Sequence, residues 1–173
     1  MSLEHLWAGW RREYIVTATE RARAGGRADD DTDCVFCRLA ASGKPSEDNL
    51  VVWRGEQAFV VMNAYPYAAG HVLVLPLRHV SSLAGLTRDE SAELWAATQE
   101  AVATIEGAYD PDGLNVGANL GRAAGAGIPG HVHLHVVPRW SGDTNFMTAI
   151  AETRVLPETL ALSWKKLNDA WPG

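Results

Sequence analysis

The sequence predicts an α+β domain with a mostly antiparallel sheet of five strands, one long helix and a C-terminal helix. Three observations carry this. Five short apolar runs of five to seven residues are each bounded by turn-forming residues. One segment, roughly 88–107, has helical periodicity and lies between the third and fourth runs. A β-helix-β alternation does not recur along the chain, which argues against a doubly wound parallel sheet.

The elements follow in order. Residues 3–20 mix aromatics with charges and read as an N-terminal arm. Residues 21–33 are small, charged and glycine-containing and read as a flexible linker. The chain therefore divides into an arm and linker (1–33) and one domain (34–173). A short helix is expected from Cys37 to Ala41. Leu50–Arg54 and Gln57–Met62 read as a hairpin joined through Gly55 and Glu56. A turn-rich loop (63–70) leads to a third strand, His71–Leu75, closed by Pro76. Thr87 and Glu90 form a capping box that opens the long helix, with Leu94, Ala97, Ala101 and Ile105 on one face. Gly113–Asn119 reads as the fourth strand and His131–Val137 as the fifth, ending before Pro138. The tail from Leu156 to Trp171 has helical spacing, with Pro157 suited to a first turn.

Composition narrows the function. The chain has 173 residues, 47% hydrophobic and 21% charged, enough for one domain with a real core. A net charge of −6 argues against coating a nucleic-acid polymer. It leaves room for a local phosphate pocket built from main-chain N–H groups. No run reaches about 18 apolar residues, so no membrane span is expected. The N-terminus has no long apolar leader, so a cytoplasmic protein is expected. In that compartment Cys34-Val-Phe-Cys37 reads as metal-binding or redox-active. No suitable βαβ context favours the redox reading.

The most informative segment is Gly130-His131-Val132-His133-Leu134-His135-Val136-Val137. In a strand, alternate side chains share a face, so the three histidines fall together opposite Val132, Leu134 and Val136. Packing alone is a poor reason for three imidazoles on one face, since each needs partners if buried. Two chemistries are open: a metal triad, or a catalytic array around one nucleophilic imidazole. The preceding loop, Asn119 to Gly130, is rich in glycine and small residues and can bring N–H groups close to an anion. A phosphate site beside three histidines favours nucleotidyl transfer.

His131-Val-His133-Leu-His135-Val-Val resembles the signature of the histidine-triad (HIT) family, H-φ-H-φ-H-φ-φ with φ apolar. Asn63…Gly70-His71-Val-Leu-Val-Leu-Pro, Val137-Pro-Arg-Trp140 and Gly142-Asp-Thr-Asn-Phe146 are similar to further blocks of that family. The leader Leu6-Trp7…Trp10-Arg11 and the segment Asn115–Gly121 resemble a bacterial branch typified by diadenosine tetraphosphate phosphorylases. The likeness covers nearly the whole chain, with the motifs in order.

The resemblance implies a HIT-like domain in a homodimer. It implies cleavage of a dinucleoside polyphosphate, diadenosine tetraphosphate first among them, through a nucleotidyl-histidine intermediate. It makes His133 the nucleophile, its second nitrogen held by a main-chain carbonyl near His131, and His135 a donor to an α-phosphate oxygen. His71 would buttress the triad. Asn63 and Asn119 would contact the nucleotide. The family often has Gln or Ser about four residues before the first triad histidine. Here that position is Gly127, so main-chain N–H groups from Gly127 to Gly130 would serve instead. The resemblance further implies a structural zinc on Cys34, Cys37, His79 and His131. Rival readings are a nucleoside phosphoramidase, a nucleotide-binding protein with little turnover, and a metal enzyme using all three histidines on one ion.

Overall fold

The computed structural model describes residues 34–143 and 156–172. The expected arm (3–20), the linker (21–33) and the part of the Gly142–Phe146 motif beyond 143 lie outside the described residues.

Five strands form one sheet: β1 (Val51–Arg54), β2 (Ala58–Met62), β3 (Val72–Pro76), β4 (Gly113–Gly117) and β5 (Leu134–Arg139). Their spatial order is β1-β2-β3-β5-β4, and every neighbouring pair is antiparallel. Among the described residues, three α-helices accompany the sheet: α1 (Val35–Ala41), α2 (Arg88–Tyr109) and α3 (Leu160–Ala170). No helix among the described residues is long and apolar enough to cross a membrane.

Strand alternation sorts the core into two layers. Ala58, Val60, Met62, Val72, Val74, Leu134 and Val136 face α2, where Leu94, Ala97, Ala101 and Ile105 meet them together with Leu167 of α3. Phe59, Val61, Leu73 and Leu75 point the other way and pack on Phe36 and Ala40 of α1. Both faces of β2 and β3 are therefore buried, which is why these strands read as unbroken apolar runs. Each fully buried aliphatic or aromatic side chain contributes about 1.5–3 kcal/mol relative to exposure.

The long helix starts where the capping box places it. Thr87 accepts the Glu90 N–H at 3.2 Å, and Glu90 accepts the Thr87 N–H at 2.8 Å. It runs two residues past the expected end and stops at Asp110, whose left-handed conformation (φ 45°) breaks the helical path.

Other boundaries differ for local reasons. Helix α1 begins at Val35 rather than Cys37, since Cys34 takes the N-cap position and accepts the Arg38 N–H at 3.1 Å. Strand β4 ends at Gly117, leaving Asn119 in the following loop. Helix α3 begins at Leu160, not near Pro157, because Thr159 caps it by accepting the Leu162 N–H at 3.3 Å. The Trp164 indole N–H then donates to the Val51 carbonyl at 2.8 Å, tying α3 to edge strand β1.

The fifth strand departs most. It opens at Leu134, three residues later than the alternation suggests, and runs through Pro138 to Arg139. Residues 131–133 leave the ladder: the Val132 N–H donates to the Val80 carbonyl at 2.7 Å, beyond the end of β3. Pro138 is tolerated because β3 pairs with β5 only as far as Val136, so beyond that point β5 has β4 alone beside it.

Candidate active site

Sheet register decides which way the histidines point. His135 is paired with Leu73, so it lies on the α1 side, while its neighbours Leu134 and Val136 face α2. His133 and His131 are fully or nearly fully buried, and His71, just before β3, is wholly buried.

Hydrogen bonds set the tautomer of each imidazole. His133 Nδ1 lies 2.8 Å from the His131 carbonyl, an acceptor only. Nδ1 therefore carries the proton, and Nε2 keeps its lone pair. His131 Nε2 lies 2.9 Å from the Pro76 carbonyl, so it is the protonated nitrogen and Nδ1 is the basic one. His71 Nδ1 faces two donors, the Tyr67 N–H at 3.0 Å and the Asn63 amide at 3.4 Å. It must accept, which puts the His71 proton on Nε2, 3.0 Å from His135 Nδ1. His135 Nδ1 accepts in turn, so its proton sits on Nε2. That atom is buried and has no hydrogen-bond partner among the described residues.

The result is a pair of neighbouring rings with opposite roles. His133 and His135 stand edge to face with centroids 5.1 Å apart. One offers a lone pair at Nε2 and the other an N–H at Nε2. Burial pushes the His133 imidazole below its ordinary pKa, and the His131 carbonyl offsets only part of this. His135 is pushed down to about 4, by burial first and by His133 second. Both rings are neutral at physiological pH, as a nucleophile and a neutral donor must be.

His131 turns away from this pair toward the start of α1. Its Nδ1 lies 3.6 Å from both Cys34 Sγ and Cys37 Sγ, and His79 Nδ1 lies 3.2 Å from Cys37 Sγ. These four ligand atoms all fall within 4.8 Å of one another. A tetrahedron with Zn–S about 2.3 Å and Zn–N about 2.05 Å has an S···N edge of about 3.5 Å. The donor set, its spacing and the basic Nδ1 of His131 thus fit zinc. Four protein ligands leave no open position, so such a metal would serve structure. Arg78 steadies the His79 segment. Its guanidinium meets the buried Glu90 carboxylate at 2.7 and 2.8 Å and the Gly85 carbonyl at 2.8 Å.

The other expected contacts are placed less tightly. Asn63 is half-buried beside His71, and its amide oxygen accepts the Tyr65 N–H at 3.0 Å. Asn119 is half-buried in the loop after β4. Gly130 is buried directly before His131, and Gly127 is exposed, with open space where a side chain would stand. The Arg139-Trp140…Asp143 motif makes its own brace. Arg139 pairs with Asp143 at 2.6 and 2.7 Å and donates to Asn115 at 2.8 Å.

Three participants escaped the sequence. The Pro76 carbonyl, which holds His131 Nε2, carries no residue-type signal. Phe36, between the two cysteines, packs against the rings of His131 and His133 at 5.6 and 5.2 Å. Tyr67 touches both His71 and His135 through its ring. For Phe36 the signal was its position inside Cys-x-x-Cys, and for Tyr67 its place four residues before His71.

Comparison with known proteins completes the picture. The HIT domain family model matches residues 44–142. The AP-4-A phosphorylase of Mycobacterium tuberculosis is 40% identical over 169 residues, covering 98% of this chain and 85% of that protein. The bis(5'-adenosyl)-triphosphatase of Dictyostelium discoideum is 36% identical over 84 residues, 49% of this chain and 56% of that one. A Zn-bound histidine triad family protein from Mycobacterium smegmatis superposes with a TM-score of 0.65 at 28% identity, covering 82% of this chain and 95% of the other.

Proposed function

The chain belongs to the HIT family, and on that premise we propose that it cleaves dinucleoside polyphosphates, diadenosine tetraphosphate first among them, by nucleotidyl transfer through His133. The observation that carries this is the pairing of a lone pair on His133 Nε2, enforced by the 2.8 Å bond to the His131 carbonyl, with the unpartnered N–H of His135.

The chemistry follows from those atoms. His133 Nε2 attacks the α-phosphorus in line, forming a P–N bond as the P–O bond to the remaining polyphosphate breaks. The leaving group is a phosphate anion and needs no proton. Positive charge develops on the His133 ring, and the His131 carbonyl, already bonded to Nδ1–H, stabilises it. Negative charge on the α-phosphoryl oxygens meets the His135 N–H, a donor already aimed and desolvated. Inorganic phosphate, or water that gives up a proton to solvent, then attacks phosphorus from the side opposite the P–N bond. That bond breaks, its electron pair returns to Nε2, and His133 is neutral again. Asn63 and Asn119 supply polar contacts to the nucleotide. Main-chain N–H groups of Gly127 and Gly130 supply donors to the phosphates, where no side chain stands.

Zinc held by Cys34, Cys37, His79 and His131 would fix the start of α1 against the catalytic segment. The protein is a cytoplasmic homodimer in this reading, with residues 34–173 the catalytic unit and 1–33 an appended arm. Edge strand β4 supports the dimer, since Val116 and the following Leu120 are 44% and 48% exposed. The test is steady-state turnover of diadenosine tetraphosphate with and without inorganic phosphate, beside adenosine phosphoramidate as rival substrate. The reading expects the dinucleotide to be preferred and His133→Asn to abolish turnover. Preference for the phosphoramidate, or full activity of His133→Asn, overturns it.

A further inference from the structure

Tyr67 lies between Asn63 and His71, and it contacts both imidazoles behind the nucleophile. Its main-chain N–H donates to His71 Nδ1 at 3.0 Å. Its ring lies 4.8 Å from the His71 ring and stacks nearly parallel on His135, 5.9 Å away at 10°. The hydrogen bond between His71 Nε2 and His135 Nδ1, 3.0 Å long, runs between those two rings.

We propose that Tyr67 is a positioning residue for His135: its N–H sets the tautomer of His71, and its ring covers the His71–His135 bond, so that His135 presents an N–H to the phosphoryl group. The role rests on the nucleotidyl-transfer reading, in which that N–H meets an α-phosphate oxygen.

The argument is one of direction. A neutral imidazole has one donor and one acceptor nitrogen, and the two tautomers differ little in energy in water. If His71 reversed, with its proton on Nδ1, its Nε2 would accept from His135. His135 would then turn a lone pair, not an N–H, toward phosphate oxygens, and attraction would become repulsion. The Tyr67 N–H cannot accept, so it blocks this reversal. The ring acts on the same bond by excluding water, which would otherwise compete at His135 Nδ1 and free the imidazole to rotate. Tyr67 is half exposed. The phenol oxygen plays no part in this scheme.

The test is long-range 1H–15N correlation spectroscopy of the histidines in the zinc-loaded protein without nucleotide, together with kinetics. Wild type and Tyr67→Phe should show His71 and His135 each protonated at Nε2, with equal kcat. Tyr67→Ala keeps the main-chain N–H, so His71 should stay protonated at Nε2, while the His135 nitrogens, opened to water by loss of the ring, should average between tautomers. Its kcat should fall about tenfold, part of the 10²–10³ expected for losing a donor to the transition state, with KM changed less. Unchanged His131 and His133 signals certify the fold, and Tyr67→Leu replaces Tyr67→Ala should the latter not fold. Protonation of His71 at Nδ1 in wild type overturns the proposal. So does a Tyr67→Ala protein with a single Nε2-protonated His135 and undiminished kcat, or one that loses only KM. The spectra need no substrate. Failure of nucleotidyl transfer would therefore show as absent turnover in wild type with the tautomers intact, distinct from failure here.

Discussion

Replacing Glu90 by glutamine should unsettle the zinc corner from the far side of the sheet's end. The carboxylate is buried and accepts from Arg78 at 2.7 and 2.8 Å and from the Thr87 N–H at 2.8 Å. The amide keeps one acceptor and turns an NH2 toward groups that only donate. With the amide oxygen in the Oε2 place the cap bond survives, and what is lost is the bond from Arg78 Nε together with the carboxylate's charge. A loss of that kind corresponds to a Tm drop of about 2–5 °C for a chain of this size. The pH dependence is specific. Hydrogen bonds from Arg78, then Thr87, hold the Glu90 carboxyl down to about 2, against about 4.3 in an unfolded chain. A depressed carboxyl stabilises fully above its unfolded pKa and loses that effect as pH falls toward the folded one. The gap in Tm between wild type and Glu90→Gln should therefore be constant from neutral pH to about 5 and shrink below about 4.3. Differential scanning calorimetry of both proteins at the same zinc concentration measures it. A gap under about 1 °C, or one that does not narrow in acid, would refute the reasoning. Because Arg78 precedes His79, the variant should also release zinc to a chelator faster.

Cys37→Ser should lose stoichiometric zinc by elemental analysis and should lower turnover without removing any group that touches substrate. Retained zinc would count against the two-cysteine, two-histidine assignment. Gly70→Ala should destabilise by about 2 kcal/mol, read by urea unfolding. Gly70 has φ +77°, and an added Cβ would lie 2.8 Å from the Tyr109 ring. That ring cannot swing away freely, because its hydroxyl donates to Glu158 at 2.5 Å. Wild-type stability in Gly70→Ala would show that this contact relaxes.

Much of the site was legible because its chemistry rides on side-chain type and spacing. Alternation at 131–135 exposed the imidazole cluster, and Cys34-x-x-Cys37 marked a ligand pair. The capping box at Thr87 and Glu90 fixed the start of α2. What stayed hidden was set by main-chain groups or by contacts distant in sequence. Strict alternation made His131–Val137 look like one strand. In the structure, residues 131–133 leave the ladder because the Val80 and Pro76 carbonyls claim Val132 and His131. That departure sends His131 to the cysteines while His133 and His135 stay together, so three residues that look equivalent divide into one ring beside two thiols, one with a lone pair at Nε2 and one with an N–H there. Likewise Pro157 suggested a helix start that the Thr159 cap takes instead. The tautomer chain through His71 depends on the Tyr67 N–H, which every residue but proline possesses and no sequence pattern marks.

The central claim is that His133 bonds covalently to the nucleotide. Rapid quenching with labelled diadenosine tetraphosphate, followed by peptide mapping, tests it most directly. The account predicts label on the peptide at His133, formed at least as fast as turnover and absent in His133→Asn. An active preparation with no labelled peptide, or with label at another residue, would contradict it.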